Sequence, residues 1–322
     1  MSDSCAERWT HPSVILVATD LSDADRLIPF AFQQATETGA RLILLHVLSA
    51  GTAIGADAIG MPYYDPASAF EFAAESLQPW CTQALQRNIA CDILVREGHP
   101  GQQIAAVVRQ FHADRILLGT RSRSKISKLF LGSVAEQVLR SVNLPVITVG
   151  PEAHLRVGSR DNEKVVLHAT TLRETSRPSA ALACQIASSQ QARLVLLHVL
   201  PPTDEMVRDG LPTGLDSTAM QELRALAKTT GAGEFGYNER VEPRVAHGNP
   251  SIEILATASE LHASLIVLGA TQRSALLNLT RDRTIYRVLA HARCPVLTLR
   301  EPIFAAFQDN REPLAFTSGE AR

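Results

Sequence analysis

The chain has 322 residues, room for about two domains. With 31 Lys and Arg against 33 Asp and Glu, its net charge of −2 excludes a duplex nucleic-acid binder with a strongly basic face. A composition of 45% hydrophobic and 20% charged residues is that of a globular protein, and the sequence lacks the roughly 18 unbroken apolar residues of a membrane span. The first residues, MSDSCAERWTHPS, contain no apolar signal core, so a cytoplasmic location is expected. Cys5, Cys81, Cys91, Cys184 and Cys294 form no C-x-x-C pair, and the ten histidines form no H-x-x-x-H or H-E-x-x-H pair. Reduced thiols and no metal centre follow.

In chain order, SVILVATD reads as a short β-branched strand, followed by a helix ending at Gly39, a residue suited to the left-handed turn after a helix. RLILLHVL is apolar throughout, as a strand covered on both faces should be. Residues 49–66 read as a loop, and 67–88 as a helix that Pro79 should kink or break. Then come the strand ACDILVRE, a helix opening at Pro100, the strand ADRILLGT, a polar loop, a helix from about Ser133 and the strand LPVITVG. Strands separated by helices need crossover connections, hence a mainly parallel sheet.

The same series then returns. RLILLHVL at 41–48 recurs as RLVLLHVL at 193–200, and LRSVNLPVITV at 139–149 recurs as LAHARCPVLTL at 289–299. Gly98 and Gly248, Gly119 and Gly269, and Pro145 and Pro295 are each 150 residues apart, so the chain is a duplicated domain. The expected architecture is α/β: two tandem Rossmann-like doubly wound domains, each with a five-stranded mainly parallel sheet. Residues 1–150 form the first domain, 151–163 a linker, 164–300 the second domain and 301–322 a polar tail.

In open α/β sheets ligands sit beyond the carboxyl ends of the strands, which directs attention to Asp20 and to the loop after the fourth strand. That loop runs Gly119-Thr-Arg121-Ser122 through Gly132-Ser133 and carries Arg121, Arg123, Lys125 and Lys128. Glycines allow close backbone approach, and N–H groups at a helix N-terminus attract an anion, so the segment suits a di- or triphosphate. Ser133 can cap the helix or bond a phosphate oxygen. His46 and His198 sit in apolar strands, where a structural hydrogen bond is the expected role. For Asp20 taken alone, a cap or turn role stands beside a ligand role.

Val-Ala18-Thr19-Asp20, Leu-Leu-His-Val47, Ala-Asp-x-Ile-x-x-Gly and Leu-Pro-Val-Ile-Thr-Val occur in order, and both halves resemble the universal stress protein family. The family's nucleotide signature is Gly, two residues, Gly, nine residues, Gly, then Ser or Thr. Gly119, Ser122, Gly132 and Ser133 follow that spacing, with serine in place of the second glycine. The resemblance implies ATP or another adenine nucleotide in the first half, with Mg²⁺ or Mn²⁺ carried by the phosphates. Asp20 would lie near base and ribose, flanked by Ala18 and Thr19. The Val47 backbone would meet the adenine edge, and Gly119, Arg121, Ser122, Gly132, Ser133 and Val134 would cradle phosphate. In the second half Gln272 and Asp282 replace the loop's small and phosphate-facing residues and Thr171 replaces Asp20, so little or no site is expected there.

No catalytic set is evident: G-x-x-x-x-G-K-[ST] and G-x-S-x-G are both absent. The expected role is a nucleotide-dependent binding module in stress response or signalling, with an unknown signalling partner. A nucleotide-independent interaction scaffold and a slow ATPase are the alternatives. The resemblance also implies that the two domains are paired as a pseudo-dimer within one chain, with LPVITV and CPVLTL as the candidate edge strands needing cover, and a homodimer is compatible with it.

Overall fold

A computed structural model describes residues 8–49, 66–120, 131–153, 163–201, 214–230, 240–271 and 283–301. The first half runs β1 (Val14–Ala18), α1 (Ala24–Thr38), β2 (Arg41–Leu48), α2 (Pro66–Gln86), β3 (Cys91–Glu97), α3 (Pro100–Phe111), β4 (Arg115–Gly119), α4 (Ser133–Ser141) and β5 (Val146–Val149). The second half repeats it: β6 (Val165–Ala169), α5 (Arg177–Ser189), β7 (Arg193–Leu200), α6 (Gly214–Thr229), β8 (Val241–His247), α7 (Pro250–Glu260), β9 (Leu265–Thr271), α8 (Arg283–His291) and β10 (Val296–Glu301). Residues 50–65, most of the 151–163 linker and all but the first residue of the 301–322 tail lie outside the described residues. Among the described residues no helix is long and apolar enough to cross a membrane.

The two expected five-stranded sheets are present and fuse into one ten-stranded sheet of order β3-β2-β1-β4-β5-β10-β9-β6-β7-β8. Every pairing inside a half is parallel. At the seam β5 and β10 run antiparallel, with Ile147 opposite Leu297 and Thr148 opposite Val296. The LPVITV and CPVLTL segments therefore cover each other's edges. Side chains alternate across the sheet and build two cores, each continuous through both halves. Ile15 and Val17 pack with Leu27, Leu77, Leu182 and Leu223 on the face covered by α1, α2, α5 and α6. Val14 and Leu16 pack with Ile104, Val138, Ile254 and Val288 on the other face.

Local signals act as their chemistry predicts. Gly39 adopts φ 74° after α1 and its N–H bonds Ala35 O, and Pro100 is the first residue of α3. Pro79 does not break α2, which runs through it to Gln86. Both Pro79 and Glu75, whose carbonyl loses its helical donor, face solvent, so water replaces the missing bond. His46 Nδ1 meets Thr19 O at 2.9 Å and His198 Nδ1 meets Thr170 O at 2.8 Å, matching structural roles in the two halves.

The repeat is broken inside the core at a titratable position of the first strand. Val17 of β1 is matched by His168 of β6, fully buried, with Nδ1 3.1 Å from Val267 O and Nε2 unpaired. Burial pulls its pKa down to about 4. The unfolded chain takes up a proton near pH 6.5 that native His168 refuses until about pH 4, so stability falls as pH drops through that window. Urea titrations between pH 7 and pH 4 should show a loss of roughly 3 kcal/mol from this residue. His168→Val, which copies the first half, should flatten the profile by that amount.

Candidate functional site

The strand order places β4 beside β1 on the side away from β2. Connections leave the carboxyl ends of β1 and β4 in opposite directions, and a crevice opens between them. Its cavity, of about 200 Å³, is lined by the ends of three strands and the first turns of α3 and α4. Ala18, Thr19, Asp20, Val47, Gly119, Gly132, Ser133 and Val134 all border it. Those eight residues are separated by up to 116 positions in the chain, and the fold brings them to one place. Arg121 and Ser122, with Arg123, Lys125 and Lys128, lie outside the described residues.

Each wall has a local cause. β1 ends at Ala18, paired with Leu45, and Thr19 N–H makes one last bond to Leu45 O at 3.0 Å. Backbone direction alternates along a parallel strand, so Val47 turns its N–H and C=O to the same side as Leu45, past the end of β1. Among the described residues no backbone partner meets that donor and acceptor, and Val47 edges the cavity. The opposite wall is the start of α4. Gly132 occupies its cap position with φ −62° and ψ 143°, and Gly132 O accepts from Glu136 N–H at 3.0 Å. Gly132 has no side chain with which to cap the helix. Ser133 is the first helical residue and not the cap, so of its two expected roles capping does not occur. The N–H groups of the first turn carry the positive end of the helix dipole. Gly132 N–H bonds Thr120 O at 2.8 Å, which pins together the two ends of the intervening loop.

Asp20 is exposed at the rim. Its Oδ1 accepts from Ser22 N–H at 2.9 Å and from the Ser22 hydroxyl, so it shapes its own turn as well as facing the cavity. The residue that sequence reasoning missed is Asp23. It caps α1 through its backbone carbonyl, while its side chain turns inward and Oδ1 accepts from the Thr19 hydroxyl at 2.6 Å. Burial pushes its pKa up from the ordinary Asp value; the Thr19 bond pulls the other way and the Asp20 charge adds to the rise. Oδ2 occupies the place where a Cβ on residue 119 would stand. Gly119 is required here by the Asp23 carboxyl, a cause distinct from close approach of a ligand. The Thr-x-x-x-Asp spacing at a helix start was the available signal.

The second half keeps the base of this arrangement and loses the rest. Thr170 N–H bonds Leu197 O at 2.9 Å, matching Thr19 and Leu45, and Leu172 repeats the positive φ of Leu21. Thr171, the counterpart of Asp20, puts its hydroxyl 2.9 Å from that of Ser176. β9 and β10 stay paired beyond Gly269, through Ala270–Arg300 and Thr271–Glu301, where β4 and β5 stop at Gly119–Val149. Gln272 and Asp282 lie outside the described residues. Among the described residues, no group of three His, Cys, Asp or Glu side chains could hold a metal ion.

A doubly wound pair with a crevice at the β1–β4 switch point, beside a helix start, defines the class of Rossmann-like α/β domains. The model of the universal stress protein family matches residues 13–150 and again 163–300, so the chain belongs to that family through both halves. Among curated relatives, the universal stress protein E homolog of Haemophilus influenzae is 28% identical over 153 residues, covering 44% of this chain and 49% of the relative. A universal stress protein of Thermus aquaticus is 30% identical over 136 residues, 42% of this chain and 96% of its own. The matches span about half the length of the Haemophilus relative and of a Synechocystis one, at 49% and 50%. A solved universal stress protein from Archaeoglobus fulgidus superimposes with a TM-score of 0.68 at 21% identity, covering 91% of this chain and 98% of that one, which establishes the fold.

The Gly119–Asp23 contact is testable without a ligand. Gly119→Ala should cost about 1–3 kcal/mol in urea denaturation, the usual range for overpacking. In the Asp23→Ala background the added methyl has room, and the same substitution should cost less than half as much.

Proposed function

We propose that the first half binds an adenine nucleotide, ATP foremost, and that the protein is a nucleotide-dependent binding module of the stress response. The observation that carries this reading is the shared cavity. It joins the backbone edge of Val47 at one end to the first turn of α4 at the other. A base needs a donor and acceptor in one plane, and phosphates need N–H groups unobstructed by side chains. Val47 would meet the base edge, and Asp20 the ribose. Gly132, Ser133 and Val134 would hold the phosphates, with Arg121 and Ser122 from the adjoining loop. Mg²⁺ or Mn²⁺ would arrive on the phosphates.

The role is binding and not turnover, exercised in the cytoplasm through a signalling partner. The described part of the site offers Asp20 and Asp23 as its carboxylates. One is engaged in its own turn and the other is held by Thr19, so both have partners other than an attacking water. The second half keeps the base-side backbone but has Thr171 for Asp20 and continued strand pairing beyond Gly269, which supports one site per chain.

Calorimetry with ATP should give one site per chain, and two equivalent sites would refute the assignment to the first half. Gly132→Asp with Ser133→Ala should weaken ATP at least ~100-fold, since a carboxylate then stands at the helix start. Unchanged affinity would overturn the phosphate assignment. Mass spectrometry of nucleotide released on denaturation should find ATP; ADP or AMP would point to hydrolysis.

A further inference from the structure

A second cavity, of about 310 Å³, lies over the seam between the halves. It sits between the last turns of α1 and α5, on the face those helices cover, and away from the carboxyl ends of β1 and β4. Its floor is aliphatic: Ile147 and Leu297 from the paired last strands, Leu265 from β9 and Ile186 from α5. Its walls are polar. The lining follows the pseudo-twofold axis, with Ile147 matched by Leu297, Glu37 by Ser189 and Thr38 by Gln190. The cavity therefore exists only where the two copies meet. A volume of this size at a domain junction, with an apolar floor under polar walls, suits a small molecule that has both an apolar and a polar part.

Charge in the cavity is not symmetric. Arg115, at the start of β4, is matched by Leu265 and is only 2% exposed. Its Nη1 donates to Gln34 Oε1 at 2.7 Å and its Nη2 to Trp9 O at 2.6 Å, while Nε has no partner. No carboxylate forms an ion pair with it among the described residues. Asp114 is held instead by Arg8 and by the N–H groups of Ser13 and Val14. Lys164 brings a second cation, 2.9 Å from Glu37. Glu37 is the one carboxylate on the wall, and it already accepts from Gln33, Gln34, Lys164 and Gln190.

The wall thus holds two cations against one fully engaged anion. The helix ends add negative partial charge, but their carbonyls are taken up locally. Gly39 N–H bonds Ala35 O, the Thr38 hydroxyl bonds Gln34 O, and Ile186 O accepts from Gln190 N–H and the Ser189 hydroxyl. A guanidinium with no carboxylate partner among the described residues, and an ammonium on a carboxylate that is already engaged, beside an aliphatic floor, select a ligand with an apolar body and one negative charge.

We propose that this seam cavity, where buried Arg115 and Lys164 face the aliphatic floor of Ile147, Ile186, Leu265 and Leu297, binds a small organic acid. The body lies on the floor and the acid group lies on the Lys164 and Arg115 side. Because the floor draws on both last strands, an occupant contacts both halves at once and stabilises their pairing.

Octanoate tests this on the full chain by calorimetry, with octylammonium as the probe of opposite charge. One octanoate per chain should bind with Kd below about 1 mM. Ser189→Trp, which places an indole at the cavity wall from an exposed position, and Lys164→Ala should each weaken octanoate about tenfold or more, with the urea midpoint confirming an intact fold. Saturating ATP should leave octanoate binding in place, which separates this site from the strand-end crevice. No octanoate heat up to about 1 mM, unchanged affinity in both variants, or octylammonium binding as tightly as octanoate would each overturn the proposal.

Discussion

The antiparallel pairing of β5 with β10 is the contact on which the rest of the molecule depends. Inside each half every strand runs the same way, so each half ends on a short strand, rich in Val, Ile and Leu, with one bare edge. Joining those edges removes two liabilities at once and turns two small cores into two continuous ones. It also sets direction. Because the strands reverse at the seam, the carboxyl ends of the first half face away from those of the second. The crevice at β1–β4 and its degenerate counterpart at β6–β9 therefore open at opposite ends of the sheet. Whatever passes between them has to travel through the seam and the helices laid across it.

Those helices are tied together by a polar chain. Arg115 reaches Gln34, Gln34 reaches Glu37, and Glu37 takes Lys164 and Gln190 from the other half. Thr10 adds a bond to Gln185 at 2.6 Å. Half-exposed ion pairs contribute little stability. Their value here is directional, fixing how α1 sits against α5 over an otherwise featureless aliphatic floor.

Much of this was legible from residue order alone. The 150-residue offset gave two copies, the family resemblance gave their pairing, and Gly39, Pro100 and Ser133 marked helix ends where they occur. Eight of the ten site residues named from the sequence lie around one cavity, because strand-end positions are dictated by the doubly wound topology. What stayed hidden depends on contacts made across the chain. Asp23 reads as an ordinary helix-start acid until β4 brings Gly119 against it. Arg115 is one residue of the strand ADRILLGT in the sequence, and only the fold shows Trp9 and Gln34 bonded to it. Pro79 reads as a breaker because local sequence does not reveal which side of α2 meets water. The merging of two sheets into one is likewise a property of two edges meeting, and neither edge alone records it.

Duplication has let the halves drift apart at defined places: Asp20 to Thr171, Arg115 to Leu265, Val17 to His168. In two separate chains joined by such a seam, assembly would be set by concentration, and like could pair with like. Here the two strands are held on one polypeptide, so their effective concentration is fixed by the connection and is indifferent to expression level. Each sheet contains one half of each kind at any dilution. The asymmetry between the halves is thus a constant of the molecule, and a partner that reads the pair meets the same composition in every copy.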